Sequence, residues 1–282
     1  MISLTETLAI AKGIARGAGA ILREGVQRAD FSVDFKSTVI DPVTEYDRRS
    51  EAFIVGELRR AFPGDRIVGE EGGAYAQPAG GAPETGRRWF VDPLDGTVNF
   101  SHGLPIFSVS LGLQDADGLC LGVVYNPMTD ELFSAIRGRG ATLNDRPIKP
   151  SQTQTLQRSL LITGFPYDRH TSPENNFDTF LTLKRRAQGI RRLGSAALDL
   201  CFVACGRADG YWEIKLGSHD MAAGIVILRE AGGRVSDHLG GEDMLGRREA
   251  LGTNGLIHAD MLAAFAEVAR ARTPPPITSS PA

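Results

Sequence analysis

Residues 89–100 read WFVDPLDGTVNF. Three apolar residues run directly into Asp92, and Asp95 follows three positions later, before the pair Gly96-Thr97. Two carboxylates at the end of a buried strand lose hydration and repel each other, so they are costly unless a cation joins them. The stretch therefore predicts an apolar strand that delivers two carboxylates to a cation site.

Carboxylates also stand at the ends of other apolar segments. Glu70 and Glu71 follow a strand predicted over 66–69, Asp47 lies in the first turn of a predicted helix, and Asp220 opens an apolar helix. Each has an ordinary interpretation when taken singly, as a helix cap, a favourable charge at a helix N-terminus or a solvated turn. If these elements share one sheet edge, however, the carboxylates converge. Oxygen ligands without nearby His or Cys suit Mg2+.

The residues around Asp95 indicate what such a cation would act on. Gly96 lets a ligand approach the backbone, and a short helix that starts at Asp95 would direct its free N–H groups at an anion. The carbonyl of Leu94 would add an oxygen ligand to the carboxylates of Asp92 and Asp95. Together with the Thr97 hydroxyl, these groups predict hydrolysis of a phosphate monoester.

The order of elements predicts an α/β (α+β) fold. Strand patterns come in runs and then alternate with helices, which is typical of mixed sheets layered with helices. We expect a single catalytic domain over 1–272, with subdomains of about 1–150 and 151–272. The Pro/Ser-rich tail 273–282 is predicted to be disordered.

Three helices can be predicted, and caps and breakers give the ends of the first two. The first helix, capped near Ser3 or Thr5, should reach about Arg23 and stop at Gly25. The second should start at Thr44 and end before Pro63-Gly64. A third is expected around 174–186.

The composition limits the function classes. The chain has 282 residues and a formal net charge of −3, without the basic excess of a dedicated nucleic-acid binder. It has no uncharged apolar stretch near the roughly 18 residues that span a bilayer, and its start shows no signal-peptide pattern. Three cysteines suggest free thiols in a reducing compartment. We therefore expect a cytoplasmic protein without nucleic-acid or membrane partners.

Several blocks of the sequence resemble the inositol monophosphatase family. The main matches are Gly69-Glu70-Glu71, Asp92-Pro93-Leu94-Asp95-Gly96-Thr97 with Asn99-Phe100, and Asp220-Met221-Ala222-Ala223-Gly224. The shorter matches are Lys36, Asp41-Pro42-Val43-Thr44 with Asp47, Gly194-Ser195-Ala196-Ala197, and Gly210-Tyr211-Trp212-Glu213. The blocks follow the family's order and cover roughly residues 5–270, so chance similarity is a poor explanation.

The resemblance implies a layered α/β/α/β/α sandwich, a Mg2+-dependent and lithium-sensitive phosphatase and often a homodimer. It implies that the metal ligands are Glu70, Asp92, the Leu94 carbonyl, Asp95 and Asp220. It implies that the catalytic residues are Glu71 together with Thr97 and Asp47, which would orient and activate the attacking water. It implies that the substrate contacts are Gly96, Thr97, Ser195, Ala196, Glu213 and Lys36.

The sequence departs from the family pattern at two positions. His219 stands where Trp usually precedes the third-block aspartate, and Val98 stands where Thr is common. A histidine beside Asp220 invites a metal-ligand interpretation, but a residue at a helix start normally points elsewhere, so a role outside the ligand set is favoured.

The favoured substrate is inositol 1-phosphate or a similar polyol phosphate, because Glu213 could accept hydrogen bonds from neighbouring hydroxyls. The alternatives are histidinol phosphate, fructose 1,6-bisphosphate and 3′-phosphoadenosine 5′-phosphate. An adenine nucleotide would need an aromatic platform, which Phe165, Tyr167 and His170 could supply. An alternative of another class is a regulatory binding protein on the same fold.

Overall fold

The protein forms five alternating layers of helices and sheets. The computed structural model describes residues 2–28, 33–35, 42–71, 74–75 and 82–272. Within these residues the helices are α1 (Leu4–Arg28), α2 (Glu45–Ala61), α3 (Thr97–Ser101), α4 (Phe177–Lys184), α5 (Ala196–Ala204), α6 (Ser218–Glu230), α7 (Met244–Arg247) and α8 (His258–Arg272). The predicted α/β/α/β/α sandwich is confirmed. The predicted division into two subdomains stays a prediction, and the tail 273–282 lies outside the described residues.

The described strands form two larger sheets and one short ribbon. The ribbon pairs β1 (Val33–Phe35) with β2 (Pro42–Thr44). The strands of the large sheet are β3 (Arg66–Gly69), β4 (Ala74–Tyr75), β5 (Arg88–Asp95), β6 (Ser108–Asp115), β7 (Gly118–Asn126), β8 (Glu131–Ile136), β9 (Ala141–Leu143) and β10 (Arg146–Pro147). The strands of the small sheet are β11 (Leu160–Thr163), β12 (Gly189–Arg191), β13 (Gly210–Ile214), β14 (Arg234–Ser236) and β15 (Glu249–Thr253).

Sheet topology places the functional segments near one another. The large sheet has the order β10-β9-β8-β7-β6-β5-β3-β4, in which β3 and β5 are parallel neighbours. The small sheet has the order β12-β11-β13-β15-β14, with β11 parallel to both β12 and β13. Parallel neighbours end at the same sheet edge, so the residues after β3 meet the end of β5.

Three apolar cores bind the layers together. Helices α1 and α2 cover one face of the large sheet, with Leu22, Leu58 and Trp89 among the buried residues. Helices α5 and α6 fill the space between the sheets. Helices α4 and α8 cover the outer face of the small sheet around Trp212 and Met261. Helices α5 and α6 therefore form the middle layer, in the interior of the protein.

Two glycines in the large sheet let α6 approach closely. A Cβ at Gly122 would lie 2.4 Å from the Ala223 carbonyl oxygen, and one at Gly112 would lie 2.7 Å from the Ala222 Cβ. Any larger residue would push the helix outward. This contact sets how near Asp220, in the first turn of α6, can come to the end of β5.

Two predicted helix boundaries are wrong. Helix α1 does not stop at Gly25 but continues to Arg28. Gly25 faces the rings of Tyr46 and Phe100, and its Cβ would lie 2.6 Å from Phe100, so this glycine serves packing rather than termination. Helix α4 is shorter than expected because Asn176, at φ 70°, holds the chain in a left-handed conformation just before it. By contrast, Thr44 caps α2 as predicted.

Two further features of the sequence concern membrane spans and cysteines. No helix in the described ranges is long and apolar enough to cross a membrane. Cys120 and Cys201 are buried free thiols, and Cys205 is a partly buried one.

Candidate active site

An irregularity at the end of β5 brings both aspartates to one side. Residues three apart in a regular strand point to opposite faces. The pairing of β5 with β6 shifts register between Asp92 and Asp95, and both side chains line the same cavity. The Leu94 amide donates to Asp92 Oδ1 at 3.0 Å, which closes this turn locally.

Four carboxylates converge at this point. Glu70 follows β3 and Asp220 lies in the first turn of α6, and both line the cavity together with Asp92 and Asp95. Burial, reinforced by the charge of Glu70, raises the pKa of Asp92 well above its usual range. Burial also raises the pKa of Asp95 and of Asp220, against the hydrogen bond that Gly217 N–H donates to Asp220. These carboxyl groups hold protons more tightly than solvated ones do.

Asp47 links a helix cap to the site. Its Oδ2 accepts hydrogen bonds from the backbone amide and the hydroxyl of Thr44, at 2.7 and 2.6 Å, as part of a capping box. Its Oδ1 accepts from the Thr97 hydroxyl at 3.0 Å. Burial raises the pKa of Asp47 to about 6. The two oxygens of one buried carboxylate thus fix both α2 and the first residue of α3.

The first turn of α5 holds Asp95. The Ser195 hydroxyl donates to Asp95 Oδ2 at 2.6 Å, and the amides of Ala197 and Ala196 donate at 2.8 and 3.2 Å. A helix N-terminus carries unpaired N–H groups that favour an anion. Ser195 and Ala196, predicted to contact substrate, here orient a predicted metal ligand.

The opposite wall of the cavity is formed by the small sheet. The cavity has a volume of about 590 Å³. Glu213 on β13 lines it, and burial raises the pKa of this carboxyl to about 7. Tyr211 donates its hydroxyl to Glu213 Oε2 at 2.8 Å. The acidic cluster and Glu213 therefore face one shared space.

Most predicted site residues meet there. The predicted residues that line the cavity are Glu70, Asp92, Leu94, Asp95, Gly96, Thr97, Ala196, Glu213 and Asp220. Ser195 is fully buried behind this wall. Glu71 is not among the lining residues, because the chain turns after Gly69 and its amide donates to Glu51 Oε2 at 2.9 Å. Lys36 lies outside the described residues.

His219 lies at the cavity rather than away from it, and the interpretation that it acts outside the ligand set stays a prediction. Its ring lines the cavity, and its Nε2 lies 3.4 Å from Asp220 Oδ1. The ring lies over Gly217, where a Cβ would lie 2.5 Å from His219 Cε1, so the absence of a side chain makes room for it.

Sequence reasoning missed three cationic residues at the cavity: Arg192, Lys215 and Arg248. Lys215 is paired with Asp168 at 2.6 Å, and Arg248 donates to the Leu216 carbonyl at 3.1 Å. Arg192 lies two residues before Gly194, and this position beside a matched substrate segment is the signal that could have identified it. Its charge lowers the pKa of Glu213, so it lies within electrostatic reach of that carboxylate.

The donor chemistry of the cluster fits a hard cation. In the part of the chain that the structure describes, no group of three or more His, Cys, Asp or Glu side chains is already arranged to hold a metal ion. The carboxylates of Glu70, Asp92, Asp95 and Asp220 line one end of the cavity. All of them offer oxygen atoms, which hard divalent cations such as Mg2+ prefer. Such a cation would relieve the repulsion among the ionised carboxylates.

Comparison with known proteins agrees with this arrangement. The profile of the Inositol monophosphatase family matches residues 3–270. An inositol-1-monophosphatase of Synechocystis sp. is 49% identical over 226 residues, which cover 80% of this chain and 77% of that protein. Nus factor SuhB of Pseudomonas aeruginosa is 42% identical over 240 residues, covering 84% and 88%.

A solved structure supports the same assignment. The inositol monophosphatase of Anabaena (Nostoc) sp. superposes with a TM-score of 0.83 at 41% identity, covering 98% of each chain. Sequence and fold therefore agree over nearly the whole length, and the chain belongs to the inositol monophosphatase family.

Proposed function

We propose that this protein is a Mg2+-dependent phosphate monoester hydrolase that acts on inositol 1-phosphate or a similar polyol phosphate. The observation that carries the proposal is the placement of Glu70, Asp92, Asp95 and Asp220 at one end of a cavity whose other wall carries Glu213. The first set suits a divalent cation and the phosphate that it attracts. Glu213 suits the hydroxyl groups of the alcohol.

Glu70, Asp92, the Leu94 carbonyl, Asp95 and Asp220 would hold the magnesium. Bound Mg2+ would supply Lewis-acid stabilisation of the phosphoryl oxygens and lower the pKa of water. The α5 turn supports this role because it orients Asp95 through three hydrogen bonds. Family membership supports the use of a metal in general, and the oxygen-only donor set supports Mg2+ in particular.

Thr97 and Asp47 would manage the proton of the attacking water. The Thr97 hydroxyl donates to Asp47 Oδ1, so its oxygen keeps lone pairs that can accept from water. As the water oxygen forms the new P–O bond and the ester P–O bond breaks, the water proton would pass through the Thr97 hydroxyl to Asp47, and the leaving alkoxide oxygen would take up a proton from solvent. A carboxyl whose pKa is about 6 is ionised near neutral pH and can serve as that base.

Two observations bear on the alternative substrates. Phe165 and Tyr167 line the cavity, but His170 is not among the lining residues, so the proposed adenine platform is incomplete. Arg192 adds a cation at the cavity, which would favour a second anionic group and so makes fructose 1,6-bisphosphate the best-supported alternative.

A panel assay tests the proposal. Phosphate release would be measured with Mg2+ over inositol 1-phosphate, histidinol phosphate, fructose 1,6-bisphosphate and 3′-phosphoadenosine 5′-phosphate. We expect the highest kcat/KM for inositol 1-phosphate. A higher value for the bisphosphate would transfer the proposal to that substrate, and no release from any ester would overturn it.

A regulatory role is the second candidate function. Similarity to the P. aeruginosa protein named Nus factor SuhB favours it. A pull-down from cell extract with the Asp95→Asn variant would separate the two roles, because partner capture that survives loss of turnover does not depend on catalysis.

We also propose that the protein is a cytoplasmic homodimer. Family membership supports the dimer, and light scattering coupled to gel filtration measures it directly. A monomer at micromolar concentration would contradict the dimer. Fractionation of cells would test the location.

A further inference from the structure

One carboxylate oxygen of Glu213 accepts a hydrogen bond from within the protein, and the other is available to a ligand. The fully buried Tyr211 donates its hydroxyl to Glu213 Oε2 at 2.8 Å. The two residues are two positions apart on β13, so their side chains lie on the same face of the strand. Glu213 Oε1 has no hydrogen-bond partner within the described residues, and Glu213 lines the cavity. Only one of the two oxygens is left for a ligand.

The carboxylate is also confined from the neighbouring strand. Gly164 directly follows β11, which runs parallel to β13 with Thr163 opposite Trp212. A Cβ at Gly164 would lie between 2.0 and 2.1 Å from three atoms of the Glu213 carboxylate. The group therefore lies flat against the backbone of Gly164, with the Tyr211 hydroxyl on one oxygen. It has little freedom to rotate.

The surroundings make this restraint necessary. Asp199 on α5 is 1% exposed, and its Oδ1 has no hydrogen-bond partner among the described residues. The charge of Glu213 raises the pKa of Asp199 further, so the two carboxyl groups are close enough to oppose each other. A carboxylate next to another buried acid would turn away or take up a proton unless a donor held it. The Tyr211 hydroxyl is that donor.

We propose that Tyr211 is a positioning residue for substrate recognition, whose hydroxyl holds Glu213 Oε2 against Gly164 so that Oε1 accepts a hydrogen bond from a substrate hydroxyl. Tyr211 itself does not reach the substrate. The inference rests on the proposed polyol phosphatase function, because it concerns how the non-phosphate part of the substrate is recognised.

The test compares two substrates in one variant. Tyr211→Phe removes only the hydroxyl. The ratio of kcat/KM for inositol 1-phosphate to kcat/KM for p-nitrophenyl phosphate should fall about tenfold, mainly through KM for the inositol ester. An unchanged ratio would overturn the proposal, since p-nitrophenyl phosphate offers no neighbouring hydroxyls to Glu213.

Tyr125→Phe is the matched control. Tyr125 is also buried, and its hydroxyl donates to Asp130 Oδ1 at the same distance of 2.8 Å, away from the cavity. This variant loses a tyrosine–carboxylate bond of the same length and should keep the parent ratio. A fall of the ratio in both variants would mean that it reports a general loosening of the protein. That result would overturn the proposal.

A double-mutant cycle distinguishes failure of the inference from failure of the function. If Tyr211 acts through Glu213, Tyr211→Phe in a Glu213→Gln background should lower the ratio no further. Independent, additive losses would overturn the positioning role. If Glu213→Gln alone leaves the ratio unchanged, the polyol function and this inference fail together. If only Tyr211→Phe leaves it unchanged, the inference alone fails.

A second variant covers the case in which Tyr211→Phe does not fold. Gly164→Ala keeps Tyr211 but places a methyl group where the carboxylate lies. It should lower the same ratio by displacing Glu213. A folded Gly164→Ala protein with the parent ratio would overturn the proposal.

Discussion

Asp95 accepts three hydrogen bonds from one turn of α5 while lining the cavity. A carboxylate that serves the proposed metal site should be sensitive to loss of its charge. Asp95→Asn keeps the size of the side chain but removes one charge of the proposed Mg2+ site. We expect turnover of inositol 1-phosphate to fall by about a thousandfold or more in a variant that still folds.

Asp117→Asn is the control for that prediction. Asp117 lies in the turn between β6 and β7 and its side chain is 87% exposed, so the same chemical change should leave kcat intact. Near-normal turnover of Asp95→Asn at saturating Mg2+ would show that Asp95 is not a metal ligand.

Substitutions of Ser195 would test how the α5 turn supports Asp95. Its hydroxyl lies 2.6 Å from Asp95 Oδ2 and is fully buried. Removing a partner that orients a metal ligand typically weakens metal affinity by about 10–100-fold. Ser195→Ala should therefore raise the Kd for Mg2+ by about tenfold in calorimetry, and Ser195→Thr, which keeps the hydroxyl, should restore part of the affinity. Equal Kd values for Ser195→Ala and the parent would contradict the prediction.

At the scale of elements, the approach of α6 to the large sheet decides where Asp220 lies. Gly122→Ala would place a methyl group against the Ala223 carbonyl, where only 2.4 Å is available. We expect overpacking to lower the free energy of unfolding by about 1–3 kcal/mol. We also expect kcat to fall, because the displaced helix carries Asp220 away from Asp92. Chemical denaturation and kinetics measure the two effects.

Gly56→Ala provides the matched glycine substitution. Gly56 is exposed on α2, and among the described residues no atom outside its own helix backbone lies within 4 Å of the position of its Cβ. Alanine there should raise the free energy of unfolding by up to about 1 kcal/mol without affecting kcat. If Gly122→Ala behaved like Gly56→Ala, the close approach of α6 would have no role in the site.

At the scale of the whole molecule, the crowded carboxylates should make stability depend on metal. The proposed Mg2+ would bind only the folded protein and displace the protons of its buried carboxyl groups, so millimolar Mg2+ should raise Tm by several degrees relative to EDTA. Calorimetric or fluorescence melting measures the shift. Identical Tm values in Mg2+ and EDTA would count against the proposed metal site.

The same groups predict a pH dependence for the metal-free protein. Burial raises the pKa of Glu213 to about 7, and the pKa of Asp92 and of Asp95 is also raised. Above about pH 6.5 the unfolded chain has already lost these protons, whereas the folded protein releases them only as the pH rises through its raised pKa values, so folding is favoured at the lower pH. The Tm in EDTA should therefore fall as pH rises from 6.5 to 8.5. Desolvation lowers the pKa of His258 to about 4, and that group affects stability only below this window.

Mg2+ should flatten the pH dependence, because ionised ligands favour the bound cation. A Tm in EDTA that stayed constant or rose over this range would contradict the prediction, and the comparison with Mg2+ in the same buffers is its internal control.

The sequence by itself determined the family, the layered fold and the acidic blocks, because these depend on local patterns such as the Thr44 cap and the run from Trp89 to Asp95. Tertiary structure decided what single residues do. Gly25 reads as a helix stop but packs against Tyr46 and Phe100 inside α1. No local rule contains that contact, because its partners are more than twenty residues away.

In the site, too, some features depend on the local sequence and others on contacts between distant residues. Asp92 and Asp95 share one cavity only because β5 shifts register against β6, and Ser195 meets Asp95 across 100 residues of chain. The link between Tyr211 and Glu213 is local, but its significance depends on Gly164 in the neighbouring strand. Residue types and spacing identify the donors, whereas their orientation is fixed by packing between layers, which the sequence encodes only through the complete fold.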